Sequence, residues 1–299
     1  MTAYTTGKPN RLRGLLLMIG AGLCWSTGGI LVRSTEIANG WEIVFWRSLF
    51  MVVALGLILT VWHRGAVLRK FVAVGIWGVI TGGFLALTFF FFILALTLTT
   101  VANTLVTMSI MPFVAALLGW IALKEPIAPR TWVAMAAAAA GLVMMFADSL
   151  RGDGALGMLV ALGVPLAFAA NLIVVRHHAS EVDMVPTVLI AGVISALAAL
   201  PAALPFSASL HDVAVLALMG TVQLGIGCML MTLAARDLSA AEVGLLSLLE
   251  TTLGPIWVWI GIGERPSDVA LIGGLCVVGA LALNGALGLV QERAHAPAE

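Results

Sequence analysis

Residues 102–126 are ANTLVTMSIMPFVAALLGWIALKEP, and residues 241–265, AEVGLLSLLETTLGPIWVWIGIGER, repeat their pattern 139 positions later. The shift aligns a Trp-Ile step in each copy and places Glu125 on Glu264. Each copy holds about 20 apolar residues, enough for one helical crossing of a membrane. Each also has a proline inside the apolar run, and proline removes a backbone hydrogen bond. The chain is therefore predicted to contain one membrane helix with a weak point, present twice.

The amino-acid composition is compatible with one broad class of protein. Of 299 residues, 61% are hydrophobic and 10% charged, and the mean hydropathy is +1.10, which predicts a polytopic membrane protein. The formal net charge of zero gives no reason to expect a nucleic-acid partner. Cys24, Cys228 and Cys276 lie inside apolar runs without disulfide or metal spacing, so no metal and no cofactor are expected. Enzyme motifs and a nucleotide-binding glycine loop are absent from the sequence, so the prediction is a protein that is not an enzyme.

Ten apolar runs are long enough to cross a bilayer. The first is predicted to remain as a membrane helix rather than a cleaved signal peptide, because it continues beyond the usual length. The predicted spans are 13–33, 42–62, 71–95, 100–123, 128–148, 154–176, 184–205, 210–234, 240–262 and 268–290. The fold class is thus an all-α polytopic membrane protein with ten transmembrane helices.

The repeat divides the chain into 1–150 and 151–299, each with five spans. Five is odd, so the second repeat enters the membrane in the opposite direction, and inverted repeats are typical of transporters. A second match, WSTGGILVR at 25–33 with FAANLIVVR at 168–176, supports the division. Helices five and ten are rich in small residues and are predicted to be a packing scaffold or the face of a homodimer.

The basic residues predict the orientation. Eleven Lys and Arg fall on the side of the N-terminus and three on the other, which predicts that both termini are cytoplasmic. The first set is Lys8, Arg11, Arg13, Arg64, Arg69, Lys70, Lys124, Arg130, Arg176, Arg236 and Arg293, and the second is Arg33, Arg151 and Arg265.

Charged side chains inside a bilayer cost about 2.5 kcal/mol or more, so the few that remain there are candidates for function. Glu250 lies near the centre of its span and is predicted either to bind a substrate ammonium or a proton, or to have a structural role. The structural role would be a bond to a neighbouring helix or, in the protonated form, the capping of a broken helix turn. Arg47 is predicted to form a structural ion pair with Glu42, with a carboxylate anchor or gate as the alternative. Asn103 and Glu242 occupy equivalent repeat positions, predicted near the inner ends of their helices, as interfacial residues or as part of the cytoplasmic gate.

The prolines of the two copies predict hinges. Pro112 frees the carbonyl of Met108, and Pro255, one turn later in the repeat, frees that of Thr251. Exposed carbonyls at membrane depth are tolerated where they line a wet cavity. We therefore expect helices four and nine to bend at these prolines.

Further polar and aromatic residues are predicted to line a substrate cavity with Glu250, or to hold helices together. They are Trp25, Ser26, Thr27, Phe84, Thr88, Met108, Asn171, Gln223 and Thr251.

The paired LKEP and GERP endings, together with W-S-x-x-x-x-x-x-R at 25–33 and E-x-x-F-W-R at 42–47, resemble a known family. The chain is similar to EamA-type members of the drug/metabolite transporter superfamily, and most to the aromatic amino acid exporters of the YddG type. The resemblance implies a bacterial inner-membrane exporter whose central cavity is lined by both repeats, with helices five and ten set apart. The family usually has L-E-P in helix nine, whereas here Leu249-Glu250 is followed by Thr251.

The predicted function is therefore a secondary transporter that exports small-molecule substrates by alternating access. The expected substrates are amino acids, aromatic and other neutral, and related amphiphilic metabolites or drugs; the expected surroundings are membrane lipid. Two alternatives stay open, a passive facilitator of small metabolites and a polytopic membrane enzyme.

Overall fold

The computed structural model describes residues 10–37, 39–63, 67–99, 101–146, 154–179, 182–263 and 268–295. Throughout these ranges the regular structure is helical, without strands. The helices of the first repeat are α1 (Arg11–Ser26), α2 (Gly28–Arg33), α3 (Gly40–His63), α4 (Val67–Leu98), α5 (Val101–Met108), α6 (Met111–Leu123) and α7 (Pro129–Phe146). Those that follow are α8 (Ala155–Ala161), α9 (Gly163–His178), α10 (Pro186–Ala203), α11 (Leu210–Leu218), a π-helix (Met219–Ile226), α12 (Gly227–Ala234), α13 (Ala240–Leu246), α14 (Leu248–Ile262) and α15 (Asp268–His295).

The predicted fold class is confirmed. Nine segments of the described chain are long and apolar enough to cross a membrane. The remaining predicted span, 128–148, corresponds to α7, and its last two residues lie outside the described ranges.

Four spans consist of two helices in series, namely α1 with α2, α5 with α6, α8 with α9, and α13 with α14. A fifth, between α11 and α12, contains the π-helix. These are the first, fourth, sixth, ninth and eighth predicted spans. The sequence predicted weak points in only two of them.

In the fourth span the helix breaks at Ser109 and Ile110, directly before Pro112 in the first turn of α6. Proline fits that position, where its missing N–H would have no partner in the helix. The hydroxyl of Thr107 donates to the carbonyl of Asn103 at 2.7 Å on the other side of the break. The break therefore lies next to the predicted proline.

In the ninth span the break is at Ser247, and Pro255 lies inside α14, two turns farther on. The break is therefore not at the predicted proline. The hydroxyl of Ser247 donates to the carbonyl of Gly244 at 2.7 Å, and that of Thr252 to Leu248 at 3.0 Å. Hydroxyls that bond to carbonyls one turn back bend helices, which accounts for a break without an adjacent proline.

Helices α7 and α15 pack against each other along the side of the bundle. A Cβ atom on Gly141 would lie 2.7 Å from the carbonyl oxygen of Gly273, so the two backbones approach closely where both residues lack a side chain. This is the close approach that the small residues predicted.

The two ends of the bundle are named here by their first helix residues. The Arg11 end contains the start of α1 and α13 and the last residues of α6 and α9, which ion pairs join. The Gly40 end contains the start of α3 and the last turn of α4, where Gly40 contacts Ile93 and Thr97.

Candidate functional site

A cavity of about 70 Å³ lies in the middle of the bundle, between the two repeats. Its walls are mainly apolar, and two of its side chains are charged. The lining residues are Trp25, Arg47, Leu85, Thr88, Phe89, Phe92, Met108, Met111, Val164, Phe168, Gln223, Leu224, Cys228, Ser247 and Glu250.

Residues that flank two of the helix breaks line this cavity. Met108 and Met111 flank the break between α5 and α6, and Ser247 with Glu250 marks the break between α13 and α14. The hydroxyl of Ser247 lies 3.1 Å from the sulfur of Met111, so the two breaks are in contact. The breaks in the two copies of the repeated helix therefore meet at the central cavity.

Arg47 is 1% exposed and projects from α3 into the cavity. Its Nη2 donates to the carbonyl of Phe89 at 3.2 Å, and its guanidinium carbon lies 5.5 Å from the centre of the Phe89 ring. The buried Nε has no hydrogen-bond partner in the described part of the chain. A buried guanidinium with spare donors is suited to bind a carboxylate.

Glu250 lies in the first turn of α14, immediately after the break at Ser247. The positive end of a helix dipole favours a carboxylate at such a position. Glu250 and Arg47 line the same cavity, but among the described residues no ion pair links them. The cavity thus contains a guanidinium and a carboxyl group that no ion pair joins among the described residues.

Aromatic side chains form much of the apolar wall. Trp25 and Phe168 meet edge to face with ring centres 6.2 Å apart. Phe89 and Phe92, three residues apart on α4, also face the cavity. Rings in edge-to-face contact gain about 0.5–1.5 kcal/mol beyond their buried area, so this wall is well defined.

Gln223 reaches the cavity from the π-helix, a type of turn that frequently occurs at functional sites. Its Oε1 is buried and has no partner in the described chain. A bound molecule with an N–H or O–H donor would satisfy it. Among the described residues, no group of three His, Cys, Asp or Glu side chains could hold a metal ion.

Five predicted cavity residues, including Ser26 and Thr27, lie outside this lining. Ser26 accepts a hydrogen bond of 2.7 Å from Trp257 Nε1, and Thr27 donates to the carbonyl of Cys24 at the break between α1 and α2. Both residues therefore hold the break in place instead of lining the cavity.

The other three are Phe84, Asn171 and Thr251. Phe84 is partly buried one turn before Thr88, whose hydroxyl donates to the Phe84 carbonyl at 3.1 Å. Thr251 is 3% exposed beside Glu250. Asn171 is 1% exposed, and neither amide atom has a partner in the described residues.

The predicted pair of Glu42 with Arg47 is not brought together. Glu42 accepts hydrogen bonds from the backbone of Ser207 and Ala208, each 2.8 Å long, and from the Ser207 hydroxyl at 2.7 Å. It therefore holds the loop after α10 at the Gly40 end. Five residues separate Glu42 from Arg47, a spacing that places them on different helix faces.

Asn103 and Glu242 lie at opposite ends of the bundle, which corrects the expectation that both are near the inner ends. Glu242 pairs with Arg11 and caps α13 through Ser239. Asn103 donates to Thr99 at the end of α4. An inverted repeat places equivalent residues at opposite membrane faces, so the positions follow from the inversion itself.

Several lining residues were not predicted. The match of 25–33 with 168–176 aligns Trp25 with Phe168, and the structure places the two rings in contact, so that match could have identified Phe168. Phe89 and Phe92 share a helix face, but the sequence did not show which face of the phenylalanine run points inward. No sequence signal marked Cys228.

Comparisons with known proteins agree with this architecture. The sequence model of the EamA-like transporter family matches residues 12–147 and again residues 155–286. No curated protein matches the chain. A solved structure described as "Crystal structure of protein" is similar in fold, with a TM-score of 0.77 and 18% sequence identity. The similarity covers 93% of this chain and 99% of the other.

Proposed function

The chain belongs to the EamA-like transporter family and is a membrane transporter of the drug/metabolite type, and we propose that it exports neutral amino acids by alternating access. The observation that carries the proposal is the separated pair of Arg47 and Glu250 in one largely apolar cavity.

A zwitterionic amino acid has the complementary charges. Its carboxylate would accept from the guanidinium of Arg47, and its ammonium would donate to the carboxylate of Glu250. Leaving either protein charge buried without a partner costs free energy, so a ligand that satisfies both is favoured over one that satisfies neither.

The apolar wall supports a substrate with an uncharged side chain. Trp25, Phe89 and Phe168 offer aromatic and apolar contact. The cavity volume of about 70 Å³ corresponds to roughly five water molecules by this measure. Small neutral amino acids therefore fit this cavity without rearrangement. Aromatic amino acids, the substrates that the resemblance to YddG-type exporters implies, would fit only if Phe92, Met108 and Met111 moved apart.

The proposed orientation assigns the two ends of the bundle to the two faces of the membrane, and export then sets the path of the substrate. The excess of Lys and Arg at the Arg11 end supports placing that end and both termini in the cytoplasm of a bacterial cell. Substrate would enter at the Arg11 end and leave at the Gly40 end.

The test is counterflow in liposomes that contain the purified protein, with a panel of labelled neutral amino acids, cationic drugs and uncharged metabolites. We expect saturable uptake that is stimulated by the same amino acid on the opposite side. Flux that neither saturates nor responds to substrate across the membrane would identify a passive facilitator instead.

Glu250→Gln removes one charge from the cavity and keeps its shape. Transport is expected to fall by about tenfold or more, the value of one charge-assisted contact, with the temperature of unfolding unchanged. Glu36→Gln, an exposed carboxylate at the Gly40 end, is the control and should transport normally. Wild-type flux in Glu250→Gln would remove Glu250 from the mechanism.

A further inference from the structure

A second cavity, of about 400 Å³, opens at the Arg11 end between the starts of α1, α7 and α13 and the last turns of α15. About half of its lining is polar, and the polar side chains are those of Arg11, Arg130, Thr131, Asp237, Ser239, Glu242 and Gln291. It is separate from the central cavity, and transport as proposed above does not use it. It is called the Arg130 crevice below.

The crevice is lined by two arginines, Arg11 and Arg130, and by two carboxylates, Asp237 and Glu242. Glu242 pairs with Arg11, and Asp237 accepts from Arg13 at 3.4 Å and from the backbone of Asn10 at 3.0 Å. Each carboxylate in the lining therefore has a cation or donor of its own. Arg130 forms no ion pair with any residue that the structure describes, so its guanidinium is available to an anion.

Two arginine N–H groups in the crevice lack partners. The Nε atoms of Arg11 and Arg130 are both buried and without a hydrogen bond among the described residues. A buried donor without an acceptor is destabilising, and an anionic oxygen is the acceptor that guanidinium groups bind best. The guanidinium of Arg11 packs directly on Gly288, where a side chain would displace it.

The surroundings fit a phospholipid. Arg130 and Thr131 are followed along α7 by Trp132, which is 45% exposed, and Val133, which is 70% exposed. On α15 the outward residues beside Gly288 include Leu287 and Val290, at 41% and 63% exposure. A polar cavity at the end of two helices with apolar outer faces matches a lipid headgroup above its acyl chains.

We propose that the Arg130 crevice binds the phosphate of an anionic phospholipid, with Arg130 and the free Nε of Arg11 as donors. The guanidinium of Arg130, which has no ion-pair partner among the described residues, favours an anionic headgroup over a zwitterionic one. The position at the end of the spans favours a lipid over free phosphate, which has no acyl chain to occupy the outer faces of α7 and α15.

The experiment is native mass spectrometry of the purified full-length protein, titrated in detergent with phosphatidylglycerol, phosphatidylcholine or phosphatidylethanolamine. Arg130→Gln is compared with Arg69→Gln, which removes an exposed arginine at the same end but outside the crevice. Unfolding temperatures without added lipid check that each variant is folded.

The expected result is retention of phosphatidylglycerol by the wild type and by Arg69→Gln, and a loss of about tenfold in Arg130→Gln. Equal retention of all three lipids, an equal loss in both variants, or no loss in Arg130→Gln would each overturn the proposal. Displacement of phosphatidylglycerol by millimolar inorganic phosphate would overturn the assignment to a lipid.

Discussion

The two ends of the bundle are built from equivalent halves of the repeats, yet they differ in packing. At the Arg11 end, α13 packs along α6, with Gly244 against Ala115 and the backbone of Pro112. At the Gly40 end the equivalent helices are α5 and α14, and the described residues show no extensive packing between them. The same sequence pattern therefore gives a tight contact at one end and a loose one at the other.

The polar contacts of the two ends differ in whether ion pairs take part. Glu125 accepts from Arg176 Nε at 2.9 Å and from the backbone of Ala240 at 3.0 Å, which joins the first repeat to the second. This group is called the Glu125 latch below. At the Gly40 end hydrogen bonds also join the repeats, from Ser207 to Glu42 and from the backbone of Glu36 to Asp212, but no ion pair accompanies them among the described residues.

The difference shows how an inverted repeat can form two gates from one motif. A symmetric bundle would open or close both ends together, whereas a carrier needs one closed end at a time. In the structure described here the Arg11 end is the tightly closed one. In the proposed mechanism, the contact of α6 with α13 and the Glu125 latch have to separate for substrate to pass.

The largest expected effect comes from preventing that separation. A Cβ on Gly119 would lie 2.9 Å from the Cβ of Ala240, so Gly119→Cys with Ala240→Cys can form a disulfide after a small adjustment. In a background without the native cysteines, counterflow should fall by more than about tenfold on oxidation, because the gate cannot open. Reduction should restore it.

The two single-cysteine variants serve as controls and should be insensitive to oxidant. Unchanged counterflow in the cross-linked double variant, with the disulfide verified by mass, would show that the Arg11 end does not open during transport.

A smaller effect is expected from weakening the Glu125 latch. Glu125→Gln replaces charge-assisted hydrogen bonds by neutral ones, a loss of about 1 kcal/mol, or roughly fivefold in the population of open molecules. Labelling of Cys228 by an impermeant thiol reagent, applied from the Arg11 end, should rise by that factor. The variant is made in a protein that lacks Cys24 and Cys276.

Asp183→Asn is the matched control, because its partner Arg236 at 3.2 Å lies in the same repeat. It should leave labelling of Cys228 unchanged. An equal rise in both variants would mean that any lost ion pair loosens this end, and that the latch between repeats has no special part.

The smallest effect is expected for Arg13→Gln. Arg13 is 52% exposed and pairs with Asp237 at 3.4 Å, and exposed ion pairs contribute about 0–1 kcal/mol. The free energy of unfolding in denaturant should change by less than ~1 kcal/mol, with normal transport. A loss above ~2 kcal/mol would show that the surface charges at the Arg11 end are part of its closure.

The sequence predicted the fold because the pattern that defines it is local. A run of about 20 apolar residues is visible without knowledge of its neighbours, and the odd number of such runs in each repeat indicated the inversion. The break at Ser247 was harder to predict, since it depends on hydroxyl bonds to carbonyls one turn back.

The site was predicted in part, because a side chain reaches the cavity only if its helix is rotated the right way. Trp25, Thr88, Met108, Gln223 and Glu250 were all predicted, and all line the cavity. Arg47 was predicted as a partner of Glu42, and only the packing of α3 against the π-helix, with Gly220 against the Arg47 carbonyl, shows where it points.

The central claim is that Arg47 and Glu250 bind opposite ends of a zwitterion. Its most direct measurement compares leucine with its amine analogue, which lacks the carboxylate, and its acid analogue, which lacks the ammonium, as competitors of counterflow. Wild-type protein should prefer leucine to either analogue by about tenfold or more. Arg47→Gln should lose the preference over the amine only, and Glu250→Gln the preference over the acid only. Equal inhibition by all three compounds, or the same change of preference in both variants, would contradict the account.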